Sequence, residues 1–365
     1  MRRLSWEQFD FILLGLVATL VIFGIAVIRS AIAGNEVLAG LVQRQITFAI
    51  IGFVVVLITA AIDYHYWATL GKYLYVATVL LLAALGIIGK AAFGSARWID
   101  TGFFFIQPSE IAKIVMILVL ADFFARHREQ LHEFRWVVMS FLLTMGMVIW
   151  ILLQPDLSTS ITVLVIWFGM LWAAGLTWKH LAIFAVLGAI SPFAAWPFLA
   201  DYQKARVINF LFPDPNARHG AIYNVQQALI SLGSGGLFGQ GYGHGTQVQL
   251  RFLKVRHTDF IFSVIGEEFG FVGTVFVIVM LALVLWRILR IARTAHDTFG
   301  ALIAYGIAIM LFFHMAVNIA MNINLIPVTG LPLPFITYGG SALLSSLLGI
   351  GLVESVAMRR EPLSF

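Results

Sequence analysis

The stretch RHTDFIFSVIGEEFG, residues 256–270, sets Asp259, Glu267 and Glu268 in and beside an apolar run that continues FVGTVFVIVMLALVLW. A carboxylate at such an edge can accept a proton, help hold a metal ion or stabilise a developing positive charge. Within hydrocarbon it is costly unless it serves such a purpose. The structural alternative for Asp259 is concrete, since an acid in the first turn of a helix is favoured by the helix's positive end. Glu267 and Glu268 lie roughly 12 Å further along a helix that rises 1.5 Å per residue. Adjacent helical residues point about 100° apart, so the two cannot share one pocket, and neither is read as catalytic. Helix packing or a bond to neighbouring backbone is the expected role of at least one of them.

Two further segments carry acids. In QPDLSTS, residues 154–160, Asp156 suits a turn or a helix cap as well as a site. In QPSEIAK, residues 107–113, Glu110 and Lys113 stand three apart and therefore on one helix face. Pro108 fits the first helical position and Glu110 the third. Lys113 lies deeper, where a solitary ammonium is expensive, so the two are expected to form a buried pair lining a cavity.

The elements that must position these groups follow from composition. Of 365 residues, 61% are hydrophobic and 11% charged, with a mean hydropathy of +0.94, which marks a polytopic, all-α integral membrane protein. The absence of cysteine excludes disulfides, thiolate zinc sites and cysteine nucleophiles. The net charge of +5 raises a nucleic-acid partner, but no basic cluster is interleaved with aromatics, so none is expected. Crossing a bilayer as helix takes roughly 20 apolar residues. Ten such segments are centred near residues 20, 53, 80, 116, 145, 166, 188, 275, 310 and 348. The first resembles a signal peptide in following Arg2 and Arg3, yet its apolar core is too long, and nine more spans follow.

With the N-terminus inside, twelve lysines and arginines, among them Arg2, Arg3, Lys72 and Arg359, fall at inner ends and loops. Arg29, Arg44, Lys90 and Arg97 fall in short outer connections. That bias puts both termini in the cytoplasm. The hydrophilic excursion at about 200–257, between the seventh and eighth spans, then lies outside with segments 90–107, 154–158 and 322–338. Asp156 and Asp259 share that face. No strong internal repeat is present, and residues 1–365 read as a single polytopic domain. The glycine-rich LISLGSGGLFGQGYGHGTQVQ contains neither GxxxxGK[ST] nor GxGxxG, so a tightly turned loop is expected and a P-loop is not. LIPVTGLPLPFITYGGSALL carries three prolines; irregular backbone at membrane depth must be buried or line a cavity.

QPSEIAK, QPDLSTS, NVQQALISLGSGGLFGQG, GTQVQLRFL, RHTDFIFSVIGEEFG and PVTGLPLPFITYGGSALL occur in that order over nearly the whole chain. Together they resemble the signature segments of the SEDS family, and the GTQVQ segment with its DPNARHGAIYNVQQ approach resembles the elongation branch more than the division branch. The resemblance implies a ten-helix peptidoglycan glycosyltransferase. Such an enzyme polymerises lipid II at the outer face of the bacterial cytoplasmic membrane, with a class B penicillin-binding protein and the elongation machinery as partners. It puts the family's essential aspartate on Asp259, its second outer aspartate on Asp156 and its charged pair on Glu110 and Lys113. Arg97 in ARWID and Ser341 in YGGSA match family positions facing the cavity. The sequence departs from the family at Lys254 and Val255, usually Pro and Glu, and at Thr337, where Ser is common.

On that reading Asp259 accepts the proton of an attacking sugar hydroxyl. Lys113, Arg97 or a divalent cation such as magnesium or manganese, held by Asp156 or Asp259, could offset the charge of the leaving diphosphate. No organic cofactor is implied. A carrier that flips the lipid-linked precursor is the first rival, since broken helices and paired charges also describe transporters. Polar residues concentrated on one face favour an enzyme. A noncatalytic scaffold leaves Asp259 and Asp156 without a purpose.

Overall fold

A computed structural model describes residues 6–93, 97–100, 105–213 and 220–360. The chain runs α1 (Phe11–Ala31), α2 (Gly40–Ala61), α3 (Tyr64–Phe93), β1 (Ile99–Asp100), β2 (Phe105–Ile106), α4 (Pro108–Arg126), α5 (Phe134–Leu153) and α6 (Leu157–Gly175). It continues with α7 (Trp178–Ala195), α8 (Asp201–Leu211), α9 (Gly220–Ser234), α10 (Thr246–Gln249), α11 (Ile261–Arg293), α12 (Thr298–Asn322) and α13 (Gly340–Ala357). The fold is all-α apart from the two-residue antiparallel ladder that pairs Ile99 with Ile106 and Asp100 with Phe105.

A helix occupies every position read as a span, and among the described residues eight are long and apolar enough to cross a membrane. Of the other two, α4 carries Glu110, Lys113, Asp122 and Arg126, and α7 is an 18-residue helix with an apolar stretch at Trp178–Ser191 among the described residues. Burial tells where the charged helix can sit: 61% of α12's apolar window and 72% of α13's are buried, against 22% for α3. α4 packs against α12, α6, α3 and α13, in the middle of the bundle, where its charges meet protein instead of lipid. Outward-facing Phe11, Ile22, Trp178 and Phe193 remain exposed, forming the apolar jacket a bilayer would cover.

The expected excursion at 200–257 is built mostly of helix, and α9 packs onto α11. Its glycine segment turns tightly, as expected, through left-handed Gly236, Gly239, Gly241 and Gly243. It wedges into a break in α11 at Gly270 (φ 65°), where Phe271 N–H reaches Gly236 O at 2.9 Å and Gln240 N–H reaches Glu267 O at 2.9 Å. A Cβ on Gly270 would stand 2.3 Å from Gly239 N, so only glycine permits this approach.

Candidate active site

Asp259 stands just before α11, on a turn fixed from several sides. Val255 O accepts from Thr258 N–H and Phe260 N–H, both at 3.3 Å, and Tyr338 N–H donates to His257 O at 3.1 Å. Arg256 is buried and donates to Ala31 O at the end of α1 and to Leu253 O. From α12, Asn322 Nδ2 donates to Asp259 O at 3.0 Å and Asn318 Nδ2 to Leu331 O at 2.8 Å. Asn322 Oδ1 in turn accepts from Ser263 N–H and Oγ, capping the first turns of α11. The Asp259 carboxylate itself has no hydrogen-bond partner among the described residues. It faces the left-handed Gly330, where a Cβ would lie 4.0 Å from both carboxylate oxygens. Burial pushes its pKa above the usual carboxylate value, and the charge of Arg206 works against that shift.

A cavity of about 560 Å³ opens beside it and brings Arg97, Glu110, Asp156, Asp259 and Ser341 together from five segments of the chain. Asp156 caps α6: Oδ1 accepts from Thr159 N–H at 3.2 Å, while Oδ2 accepts from Thr159 Oγ1 at 2.9 Å and Gln107 Nε2 at 3.0 Å. The side chain that fills the cap role also lines the cavity. Arg97 lies against the same turn, with Nε donating to Gln154 O at 2.7 Å and Nη2 to Pro155 O. Ser341 Oγ accepts from Gln107 N–H at 3.0 Å and donates to Phe105 O at 3.1 Å, tying α13 to the ladder edge.

Glu110 and Lys113 do pair, Nζ to Oε1 at 2.9 Å. Only Glu110 lines the cavity. Lys113 differs from the expectation of a cavity-lining cation: it is fully buried one helical turn deeper, where its second neighbour is His314 Nε2 at 3.3 Å. The reason is geometric, because a residue three positions further along α4 descends about 4.5 Å into the bundle. Glu110 Oε2 accepts from Ser345 Oγ at 2.8 Å, so the pair ties α4 to α13 and holds the cavity floor.

Glu267 and Glu268 diverge, as adjacent helical residues must. Glu267 Oε1 accepts from Gln247 N–H at 2.7 Å at the start of α10, while Glu268 accepts from Ser30 Oγ on α1. Both clamp the glycine segment to the helices around it, and neither lines the cavity.

Sequence reasoning passed over Arg206 and the two asparagines. Arg206 on α8 lines the cavity near Asp259 and donates to Val328 O at 3.2 Å. Its signal was weak, a single cation in a polar excursion. Asn318 and Asn322 left a better one, two asparagines four apart in the apolar run HMAVNIAMN, a spacing that stacks them on one helix face.

Comparison with known proteins sets this geometry in a family. The FtsW, RodA and SpoVE cell cycle protein family matches residues 7–361. The chain belongs to that family. Among its relatives, the peptidoglycan glycosyltransferase MrdB of Escherichia coli K12 is 37% identical, with 100% of this chain and 98% of the relative covered. The probable peptidoglycan glycosyltransferase FtsW of Geobacter sp. strain M18 is 36% identical over 98% of this chain and 99% of its own. Two solved structures share the fold. A chain of a peptidoglycan synthase complex, studied for how polymerization and crosslinking are coordinated, aligns with TM-score 0.80 and 32% identity, covering 96% of this chain and 98% of that one. The rod shape determining protein RodA of Thermus thermophilus aligns with TM-score 0.73 and 31% identity, covering 98% and 99%.

At two of the departures noted above, Val255 and Thr337, the local bonds are made. Val255 holds the Asp259 turn through its backbone carbonyl, which any residue supplies. Thr337 Oγ1 accepts from Leu333 N–H at 2.8 Å, a bond that serine's hydroxyl would make as well.

Proposed function

We infer that this chain is a peptidoglycan glycosyltransferase of the elongation type. It polymerises lipid II at the outer face of the cytoplasmic membrane, crosses that membrane ten times and keeps both termini inside. The observation that carries the reading is the single cavity where Asp259, Asp156, Glu110, Arg97 and Ser341 converge, in a chain 37% identical throughout to a named peptidoglycan glycosyltransferase.

In the proposed reaction the acceptor's sugar hydroxyl attacks the anomeric carbon of a lipid diphosphate sugar. The new carbon–oxygen bond forms as the bond to the diphosphate breaks, the electron pair leaves with the diphosphate, and the hydroxyl proton passes to Asp259. Burial that raises the carboxylate's pKa makes it a stronger base than a solvated aspartate, at the edge of the membrane where the substrate is anchored. Asn318 and Asn322 fix the backbone that aims it, Asp156 and Arg97 shape the opposite wall, and the Glu110–Lys113 pair anchors the floor. Arg97 and Arg206, which both line the cavity, supply positive charge for the substrates' diphosphates.

Asp156 Oδ1, with one bond from Thr159 N–H, and the Asp259 carboxylate line the same cavity and would, together with diphosphate oxygens, be the groups to hold magnesium or manganese and offset the charge of the leaving group. The proposed partner is a class B penicillin-binding protein docking on the excursion that leads into Asp259. The test is lipid II polymerisation by the purified chain, alone and with a cognate partner whose transpeptidase serine is disabled. Polymer of increased yield with the partner is the expected result. No polymer under either condition would refute the assignment, and equal rates at saturating, verified partner binding would refute the coupling.

A further inference from the structure

Arg206 belongs to two spaces at once. On one side it lines the reaction cavity near Asp259; on the other it heads a separate groove between α8, α9 and the segment before Gly330. Pro327 and Val328 are likewise common to both, so groove and cavity adjoin along this wall. The groove is walled by Phe210, Ile222, Val225 and Leu229, and Phe212 beside it is 78% exposed. Its volume, about 140 Å³, is a quarter of the cavity's 560 Å³, room for a few chain carbons and too small for a second disaccharide.

We propose that this groove takes the first isoprenoid carbons of the donor substrate and that Arg206 holds the donor's diphosphate, beside Asp259. The inference rests on the polymerase reading above and deepens it. Charge complementarity selects the occupant: a diphosphate joined directly to an apolar chain needs a cation at the mouth of an apolar trough. An arginine beside apolar walls offers that order, with a guanidinium suited to bidentate phosphate contact. The reaction's geometry selects the donor over the acceptor. Asp259 must touch the attacking hydroxyl, which meets the anomeric carbon, and the donor's diphosphate is bonded to that carbon. The acceptor's own diphosphate lies a full disaccharide away from its hydroxyl. The cavity accordingly offers two arginines in different settings, Arg206, whose charge acts on Asp259, for the leaving diphosphate, and Arg97 against the Asp156 turn. As the anomeric bond breaks, the electron pair moves onto the oxygen that Arg206 faces.

The test uses the full-length chain in lipid nanodiscs and a sugar-free probe, geranylgeranyl diphosphate bearing a diazirine in its first isoprene unit. After irradiation, labelled peptides are mapped by mass spectrometry. The expected result is labelling of residues 222–229 that lipid II competes away. Arg206→Gln should reduce it about tenfold, the loss of a charge-assisted contact worth about 1.4 kcal/mol. Val225→Trp, which fills the trough and leaves the charge in place, should raise the KM for lipid II while sparing kcat. Equal labelling by the matching prenyl alcohol, or labelling confined to other segments, would overturn the proposal without using any variant. Protection of 222–229 by a bound penicillin-binding protein, with no competition from lipid II, would assign the groove to a protein and overturn it as well. A chain that polymerises lipid II but is never labelled here loses this inference alone. A chain that is labelled yet polymerises nothing, with or without its partner, loses the polymerase reading and the donor assignment with it.

Discussion

The two ends of the helix bundle use the same residue types for opposite purposes. At the end away from the cavity, every aspartate with a described role is paired. Asp10 caps α1 through Leu13 N–H, receives Arg287 from α11, and offers its own N–H to Glu354 of α13 at 2.9 Å. Asp297 caps α12 through Gly300 N–H and accepts from Tyr64 at 2.7 Å, while His65 bridges it to Asp63 at 2.8 Å on each side. Arg359 closes the group on Asp63 at 3.6 Å. Their environments lower the pKa of Asp63 and Asp297, because hydrogen bonds and nearby positive charge outweigh the burial that opposes them. At the cavity end, burial wins at Asp259, whose carboxylate lacks a side-chain hydrogen bond among the described residues and whose pKa rises. Charge satisfied within the fold holds helices together; the carboxylate left facing the cavity is held in position by its backbone instead.

Breaking the cavity end at its centre gives the largest effect. Asp259→Asn keeps the shape and removes the base, so polymerisation should fall about 10²–10⁴-fold with little change in thermal stability; a mutant polymerising at the wild-type rate would end the assignment. Lys113→Ala strips the buried Glu110 of its counter-charge and should cost about 3–5 kcal/mol of stability, with activity lost as the floor shifts. If joint replacement of Glu110 and Lys113 by alanine restores both folding and activity, the pair serves structure alone.

The opposite end should separate stability from chemistry. Arg287→Ala leaves Asp10 buried without its cation, so the melting temperature should drop, for a loss of about 3–5 kcal/mol, while the folded fraction polymerises at the normal rate. A selective loss of kcat there would erase the distinction between the two ends.

A smaller effect tests positioning. Asn322→Leu removes the bond to Asp259 O without touching the carboxylate, and should lower kcat roughly tenfold, as for about 1.4 kcal/mol of misplaced transition-state contact. The smallest is a shift in pH dependence. A general base acts when deprotonated, so activity falls as pH drops through the raised pKa of Asp259. Removing the positive charge of Arg206 makes the carboxylate harder to ionise, so Arg206→Gln should move the acid limb of the kcat/KM profile to higher pH. Arg97, Glu110 and Asp156 face the same cavity and are unchanged in that comparison. A limb that stays in place or moves to lower pH would show that Arg206 does not act on Asp259.

The positions of the eight described helices long and apolar enough to cross a membrane were legible because a bilayer forces long apolar runs, and composition records such runs directly. The pairing of Glu110 with Lys113 and the divergence of Glu267 from Glu268 were legible for a similar reason, as helical spacing fixes which neighbours share a face. Which helix stands at the centre was not, since α4 looks less apolar than α3 and only the packed bundle reveals that its charges face protein. The depth of Lys113, the capping of α6 by Asp156, the hold of Asn322 on Asp259 and the arrival of Arg206 beside it all depend on contacts between residues far apart in the chain. A single sequence records such contacts only as isolated polar letters. Local periodicity and hydrophobicity determined the elements; the tertiary fold decided which polar groups satisfy one another and which are left facing the cavity.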